Sequence, residues 1–175
     1  YKAAAKVTSI STWFKGNTDI TAFSEFINFS GISELLQDAF LGCKSLTEIT
    51  LPAGVTIIGQ AAFNGCSLLA RVLNLENTKV TRIRNGAFSG CSSLAEITLP
   101  AGVTSIRGLA FDGCSSLQYI RIEATTPPTL ASTNAIPSTI GAIYVPDASV
   151  EAYQAATNWS SFASKIKGIS EIPAK

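Results

Sequence analysis

The sequence contains no histidine and no methionine, and its charges nearly cancel. Histidine is the commonest general base and a frequent zinc ligand, so its absence excludes Ser-His-Asp and Cys-His catalysis within this chain. Thirteen Lys and Arg residues against twelve Asp and Glu leave a net charge of +1, which gives no overall field to attract nucleic acid. Because no run of about eighteen apolar residues occurs, no transmembrane segment is predicted. The sequence begins with Tyr1 and contains no methionine at all. This indicates a fragment or processed form, in which an export signal would not be visible.

Four copies of an Ala-Phe-x-Gly-Cys unit dominate the middle of this 175-residue chain, whose hydrophobic fraction is 46%. The units are 39–43, 62–66, 87–91 and 110–114, and successive phenylalanines lie 23, 25 and 23 residues apart. Each cysteine is followed three residues later by a leucine, and three residues after that by isoleucine or valine. A unit this short cannot bury its own apolar side chains, but stacked copies bury them against each other. We therefore predict a single-domain repeat solenoid of short parallel strands.

The segments Glu48–Pro52 and Glu96–Pro100 predict the strands of this solenoid. Their residues alternate between apolar and polar, as expected for strands with one face in the core, and each proline fits a strand end. Such strands from successive turns are predicted to form one long parallel sheet. The Val-x-x-Ile segments predict a second short strand on the opposite wall, and the glycine before each cysteine predicts a tight turn, with positive φ. Two extra residues within 73–79 predict a bulge or wider corner.

The two ends of the chain depart from this pattern. Counting back by 23 places Phe23 and Phe26 in the Leu and Ile slots of a degenerate first turn that begins near Ile20. Residues 1–19 are predicted to be an N-terminal cap, 20–124 the repeats and 125–175 a C-terminal cap, because the ends of a solenoid must be covered.

The C-terminal region is expected to lose the period after Ile122. Ile143–Pro146 resembles one more strand, and Asp147 is a candidate N-cap for a helix over roughly 148–156. Trp159, Phe162 and Ile166 follow at near-helical spacing, which predicts a small helical cap.

The whole combination resembles the BspA-like leucine-rich repeats of bacterial surface proteins, which are common in Bacteroidetes. The resemblance is carried by the four Ala-Phe-x-Gly-Cys-x-x-Leu units, the Ile-Thr-Leu-Pro strands, and the segments 127–130, 143–146 and 150–153. It implies a leucine-rich-repeat fold, a secreted or outer-surface location, and adhesion to proteins or glycans on host or neighbouring cells. The family has no catalytic motif that could be carried over to this sequence, and the resemblance implies no cofactor.

A binding surface is predicted on the outward side of the strands, because those side chains are not needed by the core. The candidates flank the inward residue of each strand: Glu48, Arg71, Leu73, Glu96, Tyr119 and Arg121. Alternating Glu and Arg could equally form a structural ladder of cross-strand pairs. Exposed Leu73, Tyr119 and Arg121 favour recognition, because aromatic and arginine side chains often anchor interfaces.

Three further groups have competing interpretations. The cysteines occupy one slot per turn about 4.8 Å apart, wider than a disulfide requires, which favours free buried thiols and gives no tetrahedral metal site. Arg82, Arg84 and Arg107 form a second row that could hold a phosphate or sulfated glycan, or could be a solvated face. Finally, four aromatics near the C-terminus could form a sugar platform, although packing of the cap explains their spacing better: Tyr144, Tyr153, Trp159 and Phe162.

Three functions follow in order of preference. The first is a monomeric surface recognition or adhesion module that binds protein or glycan and not nucleic acid. The second is a structural spacer within a larger surface protein. An enzyme is third, because no arrangement of carboxylates, lysines or tyrosines indicates a catalytic centre, and no cofactor or metal is predicted.

Overall fold

Residues 8–174 are described by a computed structural model, which is a coil of stacked turns. The strands are β1 (Ser9–Ile10), β2 (Ala22–Phe23), β3 (Glu34–Leu35), β4 (Glu48–Thr50), β5 (Ile57–Ile58), β6 (Arg71–Leu73), β7 (Arg82–Ile83), β8 (Glu96–Leu99), β9 (Ser105–Ile106), β10 (Tyr119–Ile122), β11 (Thr129–Leu130), β12 (Ala142–Val145) and β13 (Ile166–Gly168). The α-helix α1 spans Val150–Ala155. Short 3-10 helices span Thr12–Phe14, Ser24–Asn28, Leu75–Asn77, Thr133–Ala135, Asp147–Ser149, Trp159–Lys165 and Ile169–Glu171.

The strands pair in parallel and form two walls of the coil. One wall is the six-stranded sheet A, in the order β1-β3-β5-β7-β9-β11. The other wall holds the three-stranded sheet B, β2-β4-β6, and the four-stranded sheet C, β8-β10-β12-β13. Both predicted strand segments are present, and Pro52 and Pro100 follow β4 and β8 as expected. The predicted leucine-rich-repeat fold of short parallel strands is confirmed.

The phenylalanine of each repeat belongs to a continuous stack through the core. The rings of Phe40, Phe63, Phe88 and Phe111 are fully buried, with adjacent centroids 5.2–5.4 Å apart and planes within 7° of parallel. Phe14 adds a fifth ring, 5.0 Å from that of Phe40. Each turn thus buries its ring against the copies above and below, as the repeat predicts.

The Gly-Cys pair closes each turn and joins it to its neighbours. The four glycines have φ between +70° and +73°, so the predicted positive φ is confirmed at Gly42, Gly65, Gly90 and Gly113. Each cysteine thiol donates a hydrogen bond to a phenylalanine carbonyl of the preceding turn, as Cys91 Sγ does to Phe63 O at 3.2 Å. The cysteine therefore satisfies a core carbonyl.

The prediction of one long sheet on the outer strands is wrong. Within residues 8–174, no strand pairing and no backbone hydrogen bond joins β6 to β8, so sheets B and C end at this point. The two extra residues explain the break: Asn74 has φ +65° and Leu75–Asn77 forms a 3-10 helix, which turns the chain away after β6. On the opposite wall β5, β7 and β9 pair without interruption. We call this discontinuity the sheet break.

The first turn also differs from its prediction. Phe23 lies opposite Ile49, in the isoleucine slot that was assigned to Phe26. The three-residue difference is taken up by the 3-10 helix Ser24–Asn28, which buries Phe26 by another route. Phe14 and Gly16, the latter with φ +70°, reproduce the Phe-x-Gly pattern within the segment predicted as a cap. The predicted division at residues 19/20 and 124/125 stays a prediction.

Beyond Ile122 the motif is lost but the strand period is not. Ile120, Ile143 and Ile166 pair in successive strands of sheet C, so the expectation that the period fails is wrong for this wall. Ile166 lies in β13, a strand where the sequence predicted helical continuation. Strand pairing with β12 prevails because the side chain of Ile166 fills the same core slot as Ile143.

The helix after β12 begins later than the sequence predicts. Asp147 is not its N-cap, because Asp147–Ser149 forms a 3-10 helix and Ser149 precedes α1. The Asp147 carboxylate instead accepts hydrogen bonds from the backbone N–H and hydroxyl of Ser170, at 3.1 and 3.0 Å. The Asp147 carboxylate thus bonds Ser170, which lies 23 residues later in the chain, instead of capping the helix that follows it.

In each of the four repeats, the residue two positions before the phenylalanine has a positive φ. Only one of these four residues is a glycine. Leu109 occupies this slot at φ +57° and is 45% exposed. Because left-handed backbone is unfavourable for leucine and tolerated by asparagine, Leu109→Asn is expected to stabilise the fold by about 0.5–1 kcal/mol, measured by urea denaturation. The control Leu68→Asn replaces a leucine that is 51% exposed and not among the positive-φ residues. Equal changes in the free energy of unfolding of both variants would show that the left-handed backbone at Leu109 is not strained.

Candidate functional site

The six predicted binding residues lie on the outward side of sheets B and C, a surface that we call the strand face. Sheet B carries Glu48, Arg71 and Leu73, and sheet C carries Glu96, Tyr119 and Arg121. The register places Glu48 opposite Arg71, and Glu96 opposite Tyr119. Leu73, Tyr119 and Arg121 are half-buried, not fully exposed as expected. The structure thus brings the six together in two groups, separated by the sheet break.

Tyr119 and Glu96 form the most ordered pair of the strand face. The Tyr119 hydroxyl donates a hydrogen bond to Glu96 Oε2, and the Tyr119 ring packs edge to face against Tyr144 with centroids 5.4 Å apart. Burial, followed by the hydrogen bond to the Glu96 carboxylate, raises the pKa of Tyr119 to about 12. Tyr119 is therefore a neutral, fixed aromatic surface at physiological pH.

The charged residues around this pair are arranged as ion pairs. Arg71 Nη1 lies 3.9 Å from Glu48 Oε2, which is the cross-strand pair predicted for a Glu-Arg ladder. Arg121 Nε lies 2.6 Å from Glu123 Oε1, a contact that pairs the charges although its angle is unsuited to a hydrogen bond. The more exposed pair, Arg71–Glu48, is of a type that contributes only about 0–1 kcal/mol, so it remains available to exchange partners.

The sheet break opens a recess of about 200 Å³ in the middle of the strand face. Its lining includes Arg71, Leu73 and Glu96 of the predicted set, and also Asn74 and Glu76 from the inserted segment. Sequence reasoning missed Asn74 and Glu76, although the two-residue excess in this repeat marked their position. The recess is smaller than the roughly 300–1,000 Å³ typical of small-molecule pockets, so its size matches a single side chain.

The cysteines and the C-terminal aromatics do not form sites of their own. The cysteines are free buried thiols, and burial raises the pKa of Cys91 and brings that of Cys114 to about 12, which keeps both protonated. Among residues 8–174, no group of three or more His, Cys, Asp or Glu could hold a metal ion. The four C-terminal aromatics are buried, which supports packing and not a sugar platform. Trp159 Nε1 and Tyr153 Oη donate to the carbonyls of Pro128 and Ala124 at 2.7 and 2.8 Å.

Comparison with protein families identifies the repeat. A model of the BspA type leucine rich repeat region matches residues 8–130 in six copies. The chain belongs to the BspA-type leucine-rich-repeat family. The matched region includes the four units visible in the sequence and extends towards the N-terminus as far as residue 8, where β1 and β2 add strands to the two walls. Comparison with curated proteins found no match.

Several solved structures are similar to this chain. A leucine-rich cell-surface protein of Faecalibacterium prausnitzii A2-165 is 23% identical, with 79% of this chain and 48% of that chain aligned at a TM-score of 0.46. A leucine-rich repeat protein of Bacteroides ovatus ATCC 8483 is 23% identical, with 83% of this chain and 51% of that chain aligned at a TM-score of 0.45. The pneumococcal vaccine antigen PcpA is 16% identical, with 93% of this chain and 41% of that chain aligned at a TM-score of 0.50. The chain spans about half the length of the first two proteins.

These findings define the class of repeat protein to which the chain belongs. Leucine-rich-repeat families are typically non-enzymatic, and leucine-rich repeats suggest protein binding. In the part of the chain that the structure describes, no helix is long and apolar enough to cross a membrane. The strand face and its recess are therefore the starting point for a functional proposal.

Proposed function

We propose that this chain is a surface recognition module that binds a protein partner through the strand face, with the sheet break at the centre of the contact. The observation that carries this proposal is the recess of about 200 Å³ at the sheet break, whose lining combines Arg71, Leu73 and Glu96. Its volume suits one inserted side chain, and the half-buried Leu73 and Tyr119 give the surrounding surface an apolar component. Interfaces concentrate their binding energy in such pockets, surrounded by polar contacts.

Three further features support a protein ligand. The strand face carries both signs of charge, which suits the mixed surface of a protein better than that of a uniformly charged polymer. Tyr119 is held by Glu96 and Tyr144, so little side-chain entropy is lost when it is covered. At the sheet break, no strand ladder joins β6 to β8 within residues 8–174, so polar groups that border the recess can hydrogen-bond an inserted side chain.

The location and the oligomeric state belong to the same proposal. Membership of the BspA-type family supports a secreted or outer-surface, non-enzymatic adhesion module. We further propose that the module acts as a monomer. Expression in the native cell, followed by protease shaving of intact cells, tests the location. The structural spacer is the alternative function, and it predicts that the chain itself binds nothing.

The binding test uses the purified chain on an array of extracellular-matrix proteins and cell-surface proteins. The double variant Tyr119→Ala/Arg121→Ala is expected to reduce the affinity for a captured partner about tenfold or more, because it removes an ordered aromatic and a charge from the contact. The control Gln37→Ala/Glu151→Ala changes two exposed residues away from the strand face and is expected to bind normally. If the wild-type chain captures nothing, or the double variant binds as tightly as wild type, the proposal is wrong.

A further inference from the structure

The opposite wall of the coil carries a second polar cavity, which we call the arginine pocket. It is lined by six residues of sheet A and its flanking turns: Gln60, Arg82, Arg84, Asn85, Ser105 and Arg107. Its volume is about 440 Å³, twice that of the recess at the sheet break. All three arginines are exposed, and the lining contains no acidic residue.

The strand register fixes how the three guanidinium groups are placed. Arg82 lies opposite Ser105, so Arg84 lies opposite Arg107 in the next turn, about 4.8 Å away at the backbone. Arg82 in β7 and Arg84, which directly follows it, flank the buried Ile83 and line the same pocket, about 6.6 Å apart if the backbone stays extended. Three positive charges thus converge on one small area.

These charges have no counterpart within the fold. Among residues 8–174, none of the three arginines makes an ion pair or a side-chain hydrogen bond. Glu34, an acidic residue on the same sheet, pairs with Ile57, and so lies two strands from Arg82, about 10 Å away. An unpaired cluster of this kind is most favourable when an anion occupies it.

The repeat does not require arginine at these positions. The slot of Arg84 and Arg107 holds Leu36 and Gly59 in the two preceding turns. Like charges placed opposite each other on adjacent strands destabilise a sheet, so this pair carries a cost that the other turns avoid. A ligand-binding role accounts for that cost.

We propose that the arginine pocket binds a sulfated polysaccharide. Guanidinium groups bind the oxygens of a sulfate in a bidentate manner, while the amides of Gln60 and Asn85 and the hydroxyl of Ser105 hydrogen-bond sugar hydroxyls. Nucleic acid is disfavoured because the lining contains no aromatic side chain on which a base would stack, and the net charge of the chain is only +1. The site lies on a different wall from the strand face, so it is independent of the proposed protein contact.

The test is isothermal titration of the purified chain with a size-defined heparin oligosaccharide and with the same oligosaccharide after desulfation. The wild-type chain is expected to bind the sulfated form only, and Arg84→Gln/Arg107→Gln to weaken that binding about tenfold, because two charge-assisted contacts are lost. The control Lys44→Gln/Lys167→Gln changes the net charge equally at two exposed positions on other walls and is expected to bind within about twofold of wild type.

Two additional measurements separate the site from a diffuse charge effect. Arg84→Lys/Arg107→Lys keeps both charges but loses bidentate geometry, and is expected to bind about threefold more weakly than wild type. Thermal melts should give the two lysine-containing variants the wild-type transition, because the exchanged side chains are exposed. Arg84→Gln/Arg107→Gln should melt at or slightly above the wild-type temperature, because it removes the like-charge repulsion. The proposal is overturned if the desulfated oligosaccharide, single-stranded DNA or anionic phosphatidylglycerol vesicles bind equally well, or if the lysine-to-glutamine control loses as much affinity as the arginine variant.

Discussion

Replacing Phe88 by alanine is expected to lower the free energy of unfolding by about 3–5 kcal/mol. Phe88 is fully buried in the middle of the aromatic stack, with ring centroids 5.2 Å from Phe63 and 5.4 Å from Phe111. Its removal would leave a cavity between two stacked rings, and the neighbouring turns cannot close around it because each is held by its own backbone hydrogen bonds. Urea denaturation followed by circular dichroism measures the change.

Two variants make the Phe88 experiment specific to the stack. Phe88→Leu keeps most of the volume but loses the ring contacts, so its cost should be about 1–2 kcal/mol. Trp13→Ala removes a large aromatic that is 59% exposed, and should change stability by less than about 0.5 kcal/mol. A cost below about 1 kcal/mol for Phe88→Ala would show that the stack contributes little to holding adjacent turns together.

Gly59→Ala is expected to destabilise the fold by about 3 kcal/mol, at the upper end of the usual cost of overpacking. A β-carbon at this position would lie 2.6 Å from the backbone carbon and 2.7 Å from the carbonyl oxygen of Leu36. Neither atom can move without breaking the contact between turns, in which the Gly59 N–H donates to Leu35 O at 2.7 Å. Thermal and urea denaturation measure the loss.

The matched control for Gly59 is Gly102→Ala. A β-carbon there would lie 3.7 Å from Val80 O, an ordinary van der Waals contact, and the residue is not among the positive-φ glycines. This substitution is expected to be neutral, or to stabilise by about 0.4–1 kcal/mol through a lower entropy of the unfolded chain. Equal losses in both variants would mean that close packing of turns at Gly59 is not the cause.

Much of the fold follows from the repeat because local spacing decides which side chains turn inward. The phenylalanines, cysteines and glycines of the four units occupy equivalent places, with buried rings, buried thiols and left-handed glycines as predicted. The strands Glu48–Thr50 and Glu96–Leu99 also follow from alternation alone. These features depend on contacts between copies of the same residue, so one repeat determines them for all turns.

The end segments were harder to predict because their motif is degenerate. Phe14 and Gly16 complete a further turn although Asn17 stands where the repeat has cysteine. At the other end, Ile143 and Ile166 keep the 23-residue interval of sheet C although the Ala-Phe-x-Gly-Cys unit is absent there. A search for the strand residue alone, at this interval, would have found β13.

The candidate sites are predictable in position but not in shape. Alternation placed Glu48, Arg71, Leu73, Glu96, Tyr119 and Arg121 on one outer face, where the structure has them. Alternation does not say how exposed a side chain is, and Tyr119 is half-buried because Tyr144 of the next strand packs against its ring. The two extra residues near Leu75 predicted an irregular corner but not a recess.

The sequence by itself determined the repeat, the inward side chains, the parallel strands and the class of protein, because all of these follow from residue type and spacing. The tertiary structure decided two things that spacing could not. It placed the sheet break between β6 and β8, because the inserted residues form a 3-10 turn that the other wall tolerates. It also brought Arg82, Arg84 and Arg107 to one open pocket with Gln60, Asn85 and Ser105, because these residues lie on adjacent turns.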